Sequence, residues 1–419
     1  MEKKYKVLIA HSAQQHSFRT AVALKECGSL YKYVTTVYDK EGSLTDKIKK
    51  ILKGDNLKRA NTRKCVSLKD EEVIQFYEGL GLLLLLLQRI DKSKKIYNII
   101  DDLIIYLFHR KVAKYAIKHN VDAVVVYDTL GYRALKILEK KAPNIKRILD
   151  MSAPNMIYMD KIFKKDIEKE PIYSEKLKKE INSFKYKNTI KRVEQELVLA
   201  QSFLVASEFT RSSLNDKGIS NDRIFKCSYG IDLTGYNTVK KNDQNKGKLK
   251  CIFIGNVTQK KGITHFLRAV KELDLENYSF NVLGNYEPDA NYYKDYKDIV
   301  NFCGHVTRDK VIEFCCNSDV IIFPSLADGY GLSVLEALAC GTPAICSTNA
   351  GISDLIVDFY NGFKILPSSS EEIYNKLIWC EKNRDKLKQM SVNARITAKE
   401  CTWNKYNRDI EKAINIILR

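Results

Sequence analysis

Proline is scarce in this chain, 7 of 419 residues, and no stretch is dominated by proline, glycine or serine. Collagen-like, mucin-like and linker-type sequences are excluded on that ground, and no internal repeat is found. Long apolar runs are missing too. The longest covers residues 80–87 and is interrupted by Gly81, well below the ~20 residues a membrane-spanning helix requires. The six histidines have no cysteine or carboxylate cluster at ligand spacing, and no Cys-x-x-Cys occurs, so no metal site is expected. The 11 cysteines are odd in number and scattered, with Cys315 and Cys316 adjacent in a helical segment. Reduced thiols packed as small hydrophobes account for them better than a disulfide framework. The charged start, Met1-Glu-Lys-Lys-Tyr-Lys6, passes into a strand without an apolar signal core, which points to a cytoplasmic protein.

Present in quantity are apolar residues and positive charge. Hydrophobic residues make up 45% and aromatics 10%, enough for packed cores, and roughly 150 residues per domain predicts two or three domains. The net charge is +19, and it is unevenly placed. Residues 1–200 carry 41 Lys and Arg against 25 Asp and Glu, a surplus of 16, while the remainder has a surplus of only 3. A basic half joined to a near-neutral half implies an anionic partner for the former: lipid headgroups, a polyanionic substrate or nucleic acid. No recognition-helix motif or aromatic-basic interleaving supports nucleic acid.

The opening run at residues 6–10 is a short apolar strand of the fully buried type, and further strand candidates recur at 33–38, 122–127, 147–150 and 202–207. Helical periodicity fills the intervals, including 18–26, 96–119 and a long charged segment at 176–199. That alternation predicts a parallel, doubly wound sheet. Residues 240–250 are the most polar and least periodic stretch and read as a linker. The pattern then restarts with strands expected at 249–254, 279–283, 300–303, 320–323 and 344–346. The expected architecture is therefore α/β: a first Rossmann-like domain over 1–239, a second over 251–400, a cleft between them, and a C-terminal helix over 401–419 crossing back to the first domain. In such sheets ligands bind beyond the carboxyl ends of the strands.

The densest chemical signal follows the strand ending at Phe323. The loop Asp328-Gly-Tyr-Gly331 feeds a helical segment, Leu332 to Ala339, that stops at Gly341. Glycines at a strand-to-helix turn let backbone amides approach a ligand, and the unpaired N–H groups of a helix start favour an anion. Asp328 and Glu336 flank that cradle, a layout suited to a diphosphate with a sugar at each end.

This segment resembles the donor-binding signature of glycosyltransferase family 4, retaining enzymes of the GT-B fold, in which two acids with seven residues between them flank a Gly-aromatic-Gly loop. The resemblance extends to Gly255-Asn-Val-Thr-Gln-Lys-Lys-Gly262, Ser207 to Arg211, Tyr229-Gly-Ile-Asp232, Gly304 to Arg308, Gly351 to Asp354 and Asn361-Gly362. It is dense over residues 200–365 and only an outline before them. It implies a nucleoside-diphosphate sugar as donor substrate, no separate cofactor, no metal, and hexosyl transfer with retention to a glycan or lipid-linked acceptor in surface-polysaccharide assembly. Lys261 would neutralise the diphosphate together with amides near Gly331 and Leu332. Glu336 would hold the ribose, and Asp328 with the amides of Gly329 and Tyr330 the transferred sugar. Gly255 and Asn256 would line the donor, and Gln14 and His16 would face it from the first domain. This chain departs from the pattern in three places. Asn256 stands where relatives carry arginine, so Arg211 or Arg308 would supply the cation. Asp328 replaces a glutamate. Asp150-Met-Ser-Ala-Pro-Asn155 stands where relatives often carry a histidine, leaving Asp150 or Ser152 for that role. His16 reads equally well as a packing residue beside the first helix, and His305 as an ordinary loop residue.

The leucine run at 80–87 followed by Arg89, Lys92, Lys94 and Lys95 has two readings, a buried helix or an apolar ridge meeting an anionic membrane at the inner face. The whole also admits a binding protein that kept the fold and lost the chemistry.

Overall fold

The computed structural model describes residues 5–14, 16–236 and 247–419, so residues 237–246, most of the expected linker, lie outside the described residues. The first sheet has seven strands: β1 (Val7–Ala10), β2 (Leu30–Thr35), β3 (Val73–Gln75), β4 (Ala123–Tyr127), β5 (Lys146–Met151), β6 (Ser202–Val205) and β7 (Ile224–Lys226). The second has six: β8 (Leu249–Ile254), β9 (Tyr278–Leu283), β10 (Asn301–Gly304), β11 (Val320–Phe323), β12 (Ala344–Ser347) and β13 (Gly362–Ile365). Pairing is parallel throughout, in the orders 3-2-1-4-5-6-7 and 10-9-8-11-12-13. Parallel strands need crossover helices that cover both faces of a sheet, which is why β1, β4 and β11 are apolar at every position and buried throughout.

Each sheet reverses its strand order once, between β1 and β4 and between β8 and β11. Crossovers on either side of that point leave on opposite faces and open a crevice beyond the strand ends. The motif-bearing loops sit there: residues 11–14 and His16 follow β1, 255–262 follow β8 and 324–331 follow β11.

The closing helix Trp403–Leu418 packs along Ser17–Glu26 of the first domain. Tyr406 Oη lies 2.8 Å from Thr20 Oγ1, and Asn407 Nδ2 donates to Glu26 at 2.7 Å. A second junction joins helices Met156–Lys169 and Glu175–Asn182 to the loop after β11, where Phe163, Leu177, Ile181 and Tyr186 bury Leu326.

Two local expectations need correction. The charged segment at 176–199 is not one helix but two, Glu175–Asn182 and Phe184–Leu199. Ser183 breaks it by adopting an extended conformation and capping the second helix, its Oγ accepting from Tyr186 N at 3.2 Å. The strand expected at 33–38 is shifted back to Leu30–Thr35, where it pairs with β1.

Candidate active site

The loop following β8 ends in a single 3-10 turn, Gln259–Lys261, and Gly262. Gly262 has φ +71°, and a Cβ there would lie 2.0 Å from the carbonyl oxygen of Pro324. Only glycine allows this turn to press against the exit of β11, where Leu326 N also donates to Lys260 O at 2.9 Å. The approach sets Lys261 beside Asp328, and its ammonium donates to Asp328 Oδ2. Asp328 Oδ1 accepts from Tyr330 N at 3.2 Å, so the carboxylate is fixed at the mouth of the loop.

The helix Leu332–Ala339 begins directly behind that pair. Gly331 is its N-cap, no side chain caps it, and its first turn carries no acid. Val334 N donates to Gly331 O at 3.0 Å, and the N–H groups ahead of it, at Leu332 and Ser333, lie at the end of the helix where partial positive charge collects. Glu336 lies one turn on, 3.7 Å from Arg308 Nε. Burial pushes the Glu336 carboxyl up, and Arg308 pulls it back.

The first domain supplies the opposite wall. A Cβ on Gly329 would lie 2.2 Å from Ser152 O, so the Gly-Tyr-Gly loop touches the backbone after β5 with no room for a side chain. Gly329 O accepts from Ser207 Oγ at 3.0 Å, and Tyr330 Oη donates to Tyr229 O at 2.8 Å. Tyr229 Oη lies 3.2 Å from both ring nitrogens of His16, whose Nε2 is 3.0 Å from Asp150 Oδ1. A connected polar chain thus runs from the Gly-Tyr-Gly loop to Asp150. His16 and Asp150 are largely buried.

The structure brings together Lys261 with Asp328, Glu336 with Arg308, and His16 with Asp150. Gly255 continues β8 beside β9, its N–H donating to Leu283 O at 2.9 Å, and Leu332 opens the helix half-exposed. Asn256 accepts from Asn285 Nδ2 at 3.5 Å and brings no charge. Gln14 is turned to the first domain, donating to Thr62 O at 2.7 Å. Arg211 pairs with Glu208, three residues earlier on its own helix, rather than with the acids of the cleft. Of the two arginines proposed to replace the missing cation, the structure sets Arg308 against Glu336.

Sequence reasoning missed Asp128. It follows β4 directly, its N–H donating to Asp150 O at 3.0 Å, and its Oδ1 accepts from both the N–H and the hydroxyl of Ser152 at 3.0 and 2.7 Å. Burial pushes its carboxyl up to about 6. Glu196 behind it accepts from Thr129 N and Tyr132 N at 2.8 and 2.9 Å, and burial pushes it up to about 8. A polar residue just past a buried central strand was the available signal for Asp128. Among the described residues no group of three or more His, Cys, Asp or Glu is arranged to hold a metal, and all eleven cysteines are free thiols.

Residues 237–397 match the family model described as glycosyl transferases group 1, less than half of the chain. An uncharacterized glycosyltransferase of Methanocaldococcus jannaschii is 26% identical over 253 residues, covering 56% of this chain and 63% of that protein. Other curated relatives are matched over about half of their own length or less. The sucrose-phosphate synthase of Thermosynechococcus elongatus superposes with a TM-score of 0.65 at 14% identity, over 99% of this chain and 98% of the other. HepE of Anabaena, solved in complex with UDP, gives 0.61 at 14% identity over 99% and 100%. The fold is GT-B: two parallel α/β sheets facing one cleft.

Proposed function

We propose that the chain is a retaining glycosyltransferase, transferring a hexose from a nucleoside diphosphate to a glycan or glycolipid acceptor in the assembly of surface polysaccharide. The observation that carries this reading is the Lys261–Asp328 pair at the uncapped start of helix Leu332–Ala339. A cation and a set of main-chain donors converge where the second sheet reverses its order, which is a diphosphate site in chemical terms. The match to the glycosyl transferases group 1 model over residues 237–397 and the UDP complex of the structurally similar HepE support it.

Lys261 exchanges Asp328 for the donor's phosphates, which frees Asp328 for hydroxyls of the transferred sugar. Glu336 accepts from the ribose hydroxyls, with Arg308 beside it. As the bond from the anomeric carbon to the β-phosphate oxygen breaks, negative charge grows on that oxygen, and Lys261 with the helix N–H groups stabilises it. The acceptor hydroxyl attacks from the face the diphosphate leaves, and its proton passes to the departing phosphate oxygen. Configuration is retained with no enzyme nucleophile. The cationic duties fall to Lys261 and the helix, so chelators leave the rate unchanged. His16, held by Asp150 and Tyr229, offers the sugar a hydrogen-bonding ring from the far wall.

The acceptor is placed at a membrane surface by the helix Glu78–Ile90, on which only Gly81 and Leu87 are buried. Leu86, Ile90 and Ile99 of the following helix are exposed by 53%, 62% and 68%, next to exposed Arg89, Lys92, Lys94 and Lys95. Apolar side chains between cations fit the headgroup boundary of an anionic bilayer at the cytoplasmic face. No helix among the described residues is long and apolar enough to cross it.

The test is donor hydrolysis by the purified protein with UDP-, GDP-, ADP- and dTDP-sugars. Turnover that is lost in Lys261→Ala and Glu336→Ala, with both variants folded, is the expected result. Nucleotide binding without turnover would favour a non-catalytic binding protein, and wild-type rates in both variants would remove the proposed site.

A further inference from the structure

A group of charged side chains outside the donor site joins the two domains. Asp166, near the end of helix Met156–Lys169 in the first domain, is only 1% exposed. It accepts three hydrogen bonds, all from the second domain: Gln259 Nε2 at 2.6 Å, His265 Nε2 at 2.7 Å and Ser368 Oγ at 2.5 Å. Four residues on, Glu170 pairs with Arg268 Nη2 at 2.6 Å and lies 4.0 Å from His265 Nδ1. Burial alone would raise the Asp166 carboxyl, but the imidazole, amide and hydroxyl donors hold it below its ordinary value.

Gln259 is the link to the cleft. Its Nε2 donates to Asp166, its Oε1 accepts from Thr264 Oγ1 at 2.5 Å, and its carbonyl accepts from Gly262 N at 2.8 Å. Gln259 is therefore held at three points, and it opens the three-residue turn that Lys261 closes. His265 braces the first turn of the following helix against the same carboxylate. An apolar residue would fill this junction with less desolvation, since a buried charge stabilises little unless it also selects one arrangement.

We propose that Asp166 is a positioning residue for Lys261: docking of the first domain's carboxylate on Gln259 and His265 sets the turn that aims the lysine at the donor diphosphate. The second domain then holds its phosphate cation in place only when the first is seated against it. This inference rests on the donor-site reading of Lys261.

The test is a double-mutant cycle on the full-length protein, reading by calorimetry the Kd of whichever of UDP, GDP, ADP or dTDP the wild type binds most tightly. Asp166→Asn is expected to weaken binding about ten-fold, the scale of one charge-assisted phosphate contact. Lys261→Ala weakens it at least as much, and Asp166→Asn adds nothing in the Lys261→Ala background. A merely structural carboxylate would give effects that multiply, and that result overturns the proposal, as does wild-type affinity in Asp166→Asn. Should Asp166→Asn fail to fold, Ser368→Ala deletes a donor outside the turn. It is expected to weaken binding about three-fold, again with no added effect over Lys261→Ala. If Lys261→Ala weakens binding and neither junction variant does, this inference falls and the donor site stands. If no diphosphate binds the wild type, the donor site falls and takes the inference with it.

Discussion

Substituting Gly329 by alanine isolates the closure of the two domains from the folding of either. The added Cβ would meet Ser152 O at 2.2 Å, Ala153 Cα at 2.8 Å and Ser152 C at 3.0 Å, all backbone atoms of the opposite domain. No flexible side-chain end can swing away, so the interface itself must open by on the order of 1 Å to restore ordinary contact. A displacement of that size between reacting groups costs about 100-fold in rate, equivalent to about 2.7 kcal/mol of transition-state stabilisation. In the proposed function the nucleotide is held by Lys261, Glu336 and the helix start, all in the second domain. Opening the domains also loosens the Asp166 contact that sets Lys261, so diphosphate affinity should fall by no more than about ten-fold while kcat falls by about two decades. Donor turnover, calorimetry with the diphosphate and a melting curve on the same preparation separate these quantities. A wild-type kcat would refute the argument that the Gly329–Ser152 contact forms in the reacting state. Loss of affinity well beyond about ten-fold, together with a lowered melting temperature, would show that Gly329 serves the fold rather than closure.

Asp128 supplies a pH signature. Its folded carboxyl is raised from 3.8 to about 6, so the folded state keeps a proton that the unfolded chain releases first. The stability it contributes is fully present below about pH 4, is lost as pH rises towards 6, and stays lost above. Asp128→Asn keeps both Ser152 bonds on Oδ1 and removes the titration. The stability difference between wild type and variant should fall by up to about 1.4 kcal/mol per pH unit across that window; a difference independent of pH would contradict it. Gly262→Ala forces a left-handed residue, worth about 1–2 kcal/mol of strain, against Pro324 O. Calorimetry and a thermal melt should show lower stability together with a loss of diphosphate affinity of at least ten-fold, and an unchanged Kd would detach Lys261 from the phosphate. Leu86→Glu with Ile90→Glu removes two apolar side chains worth roughly 1.5–3 kcal/mol each on burial. Flotation with phosphatidylglycerol vesicles should drop at least ten-fold with soluble turnover intact, and full binding would dismiss the ridge.

The two sheets were legible because parallel strands covered on both faces must be apolar throughout, as 123–127 and 320–323 are. The three strands that escaped, β3, β7 and β13, are short members at sheet edges, where half the pairing and much of the burial signal are gone. The break at Ser183 escaped because a serine inside a charged helical stretch serves as a solvated face or as a cap, and the residues around it suit both. At the site, Lys261, Asp328 and Glu336 lie within one local motif each and could be singled out. Arg211 was placed by position after a strand end, and its neighbour Glu208 claims it. Asp128, Tyr229 and Asp166 depend on contacts between residues far apart in the chain, such as Asp166 with His265, and no local spacing encodes those. The leucine run was ambiguous because periodicity does not say what lies on the other side of a helix.

The central claim is that an activated sugar's pyrophosphate rests on the start of helix Leu332–Ala339 with Lys261 beside it. A crystal structure with the tightest-binding nucleoside diphosphate tests it directly. Phosphate oxygens are expected within hydrogen-bonding distance of Lys261 Nζ and of the main-chain N–H of Gly331 or Leu332, with Asp328 released from the lysine. A diphosphate bound elsewhere, with the Lys261–Asp328 pair intact, would contradict it.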